Sequence, residues 1–337
     1  MIDKEVVRHG RNFRKQQFSP LFAVTRLHVR RRALPLQFAR LARSLLSERL
    51  PDIIQKRMGH RPFVELLPYG DDKLNRANGL VGRGELETVL GNYTEAGSDL
   101  MTASDLFHDS GDPVGEAIGW EATAELDSKL GADRDPVARD YYRKAREFYH
   151  SHSDRLGEAN ILLELGRLET TSAVDASTDY DAASHIYEDE RIPIGQADVL
   201  SARGDRARKH KKYMESESYY NKATEIYEKE PRDVCKVRKA NVLLGLGDLD
   251  RAKNHLNDAR QEYEQARLLY EVQLSLIGQA NVDFSEGMLP GNPAKPGKAL
   301  HYLRKARDLY LRIGKLDKVR EVKQQLNRSR GAVGSPE

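Results

Sequence analysis

The chain has 337 residues, 39% of them hydrophobic and 32% charged, with a single cysteine and a net charge of +3. This balance suits a protein rich in surface helix, excludes an internal disulfide framework, and leaves no apolar run near the roughly 18 residues that a membrane span needs. The charge is uneven: residues 1–47 hold eleven Lys/Arg against Asp3 and Glu5, so a basic arm of +9 precedes a body of −6.

Residues 1–72 read as this arm, expected to be partly disordered with one helix near 34–50. Leu34, Phe38, Leu41 and Leu45 share one helical face, Pro35 sits near its start and Pro51 stops it. Gly59 to Gly70, with Pro62 and Pro68, reads as a connector. Three roles stay open for the arm: a solvated tail, a basic tail for nuclear import or an acidic surface, and a mitochondrial transit segment. The acids at positions 3 and 5 and the few serines argue against transit. The lone Cys235 and the lack of a secretory h-region make a cytoplasmic location the default.

Six helical hairpins follow, the tidiest at Ala240–Tyr270. The second helices align on Ala103, Ala145, Ala183, Ala223, Ala266 and Ala306, at spacings of 42, 38, 40, 43 and 40. Four residues after each stands an aromatic: Phe107, Tyr149, Tyr187, Tyr227, Tyr270 and Tyr310. Three residues before stand Leu100, Tyr142, Tyr180, Tyr220, Tyr263 and Leu303. These positions lie on one helical face, where small residues admit a neighbouring backbone and rings fill the seam. The first helices begin near Ala77, Ala117, Ala159, Ala197, Ala240 and Ala280. Seven residues on come Gly84, Ala124, Gly166, Gly204, Gly247 and Gly287. A mid-helix glycine costs about 1 kcal/mol relative to alanine, so this recurrence predicts a close crossing by the paired helix. Three residues after each starting alanine a bulky apolar group recurs, with Asp283 the exception.

Small residues at Gly84, Ala96 and Ala103, repeated at Gly204, Ser216 and Ala223, at Gly247, Ala259 and Ala266, and at Gly287, Ala299 and Ala306, resemble the tetratricopeptide (TPR) repeat. The resemblance covers about 77–325. The Gly-Asp-x-x-Gly-Glu-Ala phrases at Gly111–Ala117 and, with Ser153 first, at Ser153–Ala159 look like the longer, roughly 40-residue variant of the Pins/LGN type. The resemblance implies an all-α, right-handed α-solenoid over 73–328, of about six helix-turn-helix repeats with a C-terminal capping helix. Leu316, Val319, Val322 and Leu326 supply the cap's apolar stripe, and 329–337 is expected to be a disordered tail. Three prolines make Met288–Gly297 a loop.

Candidate chemistry is sparse. The sequence holds no GxxxxGK[ST], HExxH, GxSxG or CxxC motif, so no catalytic residue, cofactor or metal is assigned, nor a small-molecule substrate. Gly82-Arg83-Gly84 and Gly245-Leu246-Gly247 lack the third glycine of a dinucleotide loop and read as packing. In TPR proteins the first helices line the concave groove. By that resemblance the partner-binding candidates are Asn78, Asn160, Asn241 and Asn281, with Leu163 and Leu244 for apolar contact and Asp248 among mainly acidic neighbours. An asparagine carries donor and acceptor, so a ladder of them suits the backbone of an extended peptide. Asparagine plus acid favours a neutral-to-basic segment. The chain is therefore expected to be a non-enzymatic protein-interaction scaffold. The alternative is a regulatory or sensor module of an NTPase-coupled signalling system. Nucleic acid reached through the arm is a secondary expectation.

Overall fold

The computed structural model describes residues 73–168, 173–230, 233–290 and 297–333. The expected arm over 1–72, its helix near 34–50 included, and the end of the chain from 334 lie outside them. The described residues form thirteen helices and no strand. They pair as α1 (Lys73–Leu90) with α2 (Tyr93–Asp109), α3 (Pro113–Leu130) with α4 (Asp135–Ser151), and α5 (Arg155–Arg167) with α6 (Ala173–Asp189). The series continues with α7 (Pro193–Lys209) and α8 (Tyr213–Lys229), α9 (Asp233–Ala252) and α10 (Leu256–Val272), and α11 (Leu276–Gly287) and α12 (Gly297–Arg312). The last helix, α13 (Leu316–Val333), covers α12. This is an α-solenoid of six TPR-like pairs with a capping helix.

The repeat register is the packing register. All twelve aligned alanines are fully buried, and so are the six aromatics that follow the second set. The recurrent glycines Gly84, Gly166, Gly204, Gly247 and Gly287 each lie under a ring or leucine of the partner helix. A Cβ on Gly247 would stand 2.5 Å from the Tyr263 ring and 3.2 Å from the Ala259 carbonyl oxygen. Such a distance leaves no room for a methyl group, so the helix-propensity cost is offset by close crossing.

The turns are short because they repeat one device. Asp112, Asp154, Ile192, Lys212, His255, Ser275 and Lys315 each donate a backbone N–H to the carbonyl five residues earlier, at 2.8–3.0 Å. The residue before each is left-handed, as in a Schellman ending. Glycine fills that place at Gly111 and Gly314, but Ser153, Arg191, Lys211, Asn254 and Leu274 fill it elsewhere. Asp154 also caps α5, its side chain accepting from the Gly157 N–H at 2.9 Å, whereas Asp112 makes no such side-chain bond. The glutamates of the Gly-Glu-Ala phrases reach back across the turn, Glu116 to His108 Nδ1 at 3.0 Å and Glu158 to His150 Nδ1 at 2.9 Å.

Three expectations need correction. The final helix runs to Val333 rather than ending at 328, because no helix breaker precedes Gly331. Its Val319, Val322 and Leu326 pack under Tyr310 and Ile313, but Leu316 faces outward. Leu289 is buried at the start of the expected loop and belongs to the core under α9 and α10. At Asp283, the polar exception, a buried carboxylate meets Arg267 Nη1 at 2.6 Å and Lys305 Nζ at 3.5 Å, so charge pairing replaces the apolar contact made elsewhere.

Candidate protein-binding groove

Successive first helices touch one another, α1 on α3, α5 on α7, α7 on α9 and α9 on α11, and so line the inner face of the solenoid. The asparagine ladder lies on these first helices, but it is not simply open. Asn160 Oδ1 accepts from Tyr187 Oη at 2.5 Å, Asn241 Oδ1 from Tyr270 Oη at 2.5 Å, and Asn281 Oδ1 from Tyr310 Oη at 2.6 Å. Asp198 plays the same part for Tyr227 at 2.6 Å. A buried tyrosine hydroxyl needs an acceptor, and the ladder supplies it.

The two exceptions obey the same rule. Repeat one ends in Phe107, which has no hydroxyl, and Asn78 there turns to its own helix and donates Nδ2–H to the Leu74 carbonyl at 2.9 Å. Repeat two has Ile118 at the ladder position, and Tyr149 instead donates to Glu121 at 3.0 Å. What the amides of Asn160, Asn241 and Asn281 keep is the Nδ2 end, which has no partner among the described residues. The tyrosines therefore fix these amides with their donors turned away from the ring.

Asp248 is also engaged. Its Oδ1 accepts from Tyr263 Oη at 2.8 Å and from Arg251 Nη2 at 3.2 Å. One repeat earlier Tyr220 donates to Asp205 at 2.7 Å, and Arg208 bridges to Asp248 at 3.9 Å. Leu163 is only 6% exposed and packs with Val199 and Ala202 of α7, so it serves the core between repeats rather than a partner. Leu244 is half-buried against the core under α9 and α10.

Electrostatics divide the inner face. Asp198, Asp205 and Asp248 are matched by Arg238, Arg208 and Arg251. Towards the N-terminal side Glu85, Glu121, Glu125 and Glu164 come together on α1, α3 and α5. Burial pushes the Glu125 carboxyl up to about 7, the nearby Lys129 offsets part of the rise, and the three other glutamates add to it. Burial likewise raises Tyr180 to about 12, against the pull of Arg167.

The tyrosine partnership is what sequence reasoning missed. Its signal was present: an aromatic 27 to 31 residues after each ladder position, with a hydroxyl wherever that position is Asn160, Asp198, Asn241 or Asn281, and none opposite Asn78.

Among solved structures, the crystal structure of aspartyl phosphate phosphatase F from Bacillus subtilis superposes with a TM-score of 0.54 at 12% identity, over 94% of this chain and 92% of that one. The fold is that of a TPR-like helical-repeat protein. The apo form of RapI is a second similar structure, with a TM-score of 0.48 at 14% identity over 89% of this chain and 88% of that one. No protein-family model matches the sequence, and no curated protein does. Among the described residues no helix is long and apolar enough to cross a membrane, and no group of three or more His, Cys, Asp or Glu is placed to hold a metal ion.

Proposed function

We propose that the chain is a non-enzymatic interaction scaffold that captures an extended, neutral-to-basic segment of a partner protein along its inner face. The repeat is read as the long variant of the Pins/LGN type, on the strength of its spacings of 38 to 43 residues. The observation that carries the proposal is the row of tyrosine-held amides at Asn160, Asn241 and Asn281, whose Nδ2 donors are preorganised at repeat spacing. Such donors match the backbone carbonyls of an extended chain, and preorganisation lowers the entropy lost on binding. The four glutamates at one end favour a Lys or Arg on the bound segment, which would in turn favour the ionised form of Glu125.

The test is Asn160→Asp/Asn241→Asp/Asn281→Asp. Asp198 shows that a carboxylate accepts the tyrosine hydroxyl at this position, so the fold should survive while the donors vanish. Quantitative capture of partners on the wild-type and triple-variant chains is compared. We expect unchanged helicity and a loss of captured partner of tenfold or more, about 1.4 kcal/mol. Equal or stronger capture by the variant sinks the donor ladder. A second reading, favoured by the fold likeness to a protein that acts on aspartyl phosphate, makes the solenoid a regulatory module of a signalling system. Under that reading the captured partner is itself a signalling protein, and its phosphorylation state, not only its retention, changes when the chain is added.

A further inference from the structure

The first and last hairpins, more than 220 residues apart in the chain, touch. Lys315 Nζ, in the turn between α12 and α13, donates to the Val89 carbonyl at the end of α1 at 3.0 Å. Tyr93 Oη, in the first turn of α2, points to Asp317 Oδ2 across 3.5 Å. Between them Gly91, left-handed at φ +84°, lets Asp317 settle against its backbone; a Cβ there would stand 2.8 Å from Asp317 Oδ1. Lys129, at the end of α3, is close enough to oppose the charge of Lys315.

We propose that these two turns form a clasp, which closes the inner face of the solenoid into a channel and opens to admit what binds there. The contacts themselves give the reason for opening. Every bond across the junction is polar, and the Tyr93 contact is long. Closure also buries Asp317 Oδ1 with no hydrogen-bond partner. A buried acceptor without a partner forfeits its hydration, and opening restores it. The closed form is thus held by few bonds and opposed by one desolvated oxygen, which is the balance a two-state element requires. Among the described residues the paired helices of each repeat are, by contrast, sealed by buried alanines and a buried aromatic ring.

The geometry supplies its own probe. An ideal Cβ at position 91 lies 3.8 Å from the Asp317 Cβ, which is the mean separation in a disulfide. In the full-length Gly91→Cys/Asp317→Cys chain, mild oxidation should link the two turns within one molecule, visible as a mobility shift without reductant. The only native thiol, Cys235, is buried and does not compete. Small-angle scattering then reads the opening. The wild type should have a larger radius of gyration than the oxidised, locked chain. Tyr93→Phe/Lys315→Met, which strains no backbone, should be larger again at unchanged helicity. A failure to crosslink at wild-type helicity overturns the closed form. Equal radii for the wild type and the locked chain overturn the opening. Should the cysteine at the left-handed position prevent folding, the Tyr93→Phe/Lys315→Met pair decides alone, and a radius equal to that of the wild type refutes the clasp.

Discussion

Glu125 joins Glu85, Glu121 and Glu164 on the inner face, and its carboxyl titrates near 7 instead of the usual 4.5. A carboxyl raised in the folded state binds its proton more tightly there than in the unfolded chain. Its ionisation therefore weakens the fold as pH rises from about 4.5 to 7, and the penalty is complete above 7. The full rise corresponds to about 3 kcal/mol, and water at this partly exposed group screens it to about 1–2 kcal/mol. Glu125→Gln keeps the shape and removes the charge. At pH 8 the variant should be the more stable by that amount, or about 2–6 °C in melting temperature. At pH 4.5, where the wild-type group is largely protonated, the two should coincide. Urea or thermal unfolding of both chains across this range measures the gap. A gap that does not change with pH would assign the effect to packing, and a variant less stable at pH 8 would refute the reasoning.

Leu274 is left-handed in its turn and 53% exposed, so Leu274→Gly should raise stability by about 0.5–1 kcal/mol in thermal melts; a loss would show that its side chain has another contact to make. Two mid-helix glycines should respond in opposite directions. Gly82→Ala meets nothing within 4 Å and should gain about 0.5–1 kcal/mol, whereas Gly247→Ala drives a methyl into the Tyr263 ring and should lose about 1–3 kcal/mol; equal effects would deny the close crossing. A double-mutant cycle on Tyr270→Phe and Asn241→Ala should give a coupling of about 0.5–1.5 kcal/mol in urea unfolding, and a coupling near zero would mean that the hydroxyl and amide act independently.

The solenoid was legible in the sequence because packing at a fixed period demands the same residue sizes at the same places. Ala240, Gly247, Ala259, Ala266 and Tyr270 state their roles by recurrence alone, and the structure buries each of them. The inner face was legible only in part. Position on the first helix locates Asn160 or Asp248, but not the direction in which a polar side chain spends its hydrogen bonds, since that depends on a hydroxyl contributed some 15 to 29 residues later. Leu163 shows the same limit for apolar residues: its register suits a groove, yet the next repeat covers it. The meeting of Lys315 with Val89 had no sequence signal at all, because it follows from small rotations accumulated over six repeats rather than from any local pattern.

The tyrosine partnership also constrains what the groove can become. Wherever a second helix ends in tyrosine, the facing first helix must offer an acceptor: the ladder position supplies it as Asn or Asp at Asn160, Asp198, Asn241 and Asn281, and Glu121 supplies it beside Ile118 in repeat two. Stability accepts either residue, since both present an oxygen to the hydroxyl. Only the choice between them changes the face shown to a partner, from two amide donors to a second carboxylate oxygen. At Asp198 that second oxygen is matched by Arg238 from the next repeat, so the ladder there is closed by charge. Asn160, Asn241 and Asn281 are therefore the rungs at which a fold-determined position still leaves binding chemistry to be set.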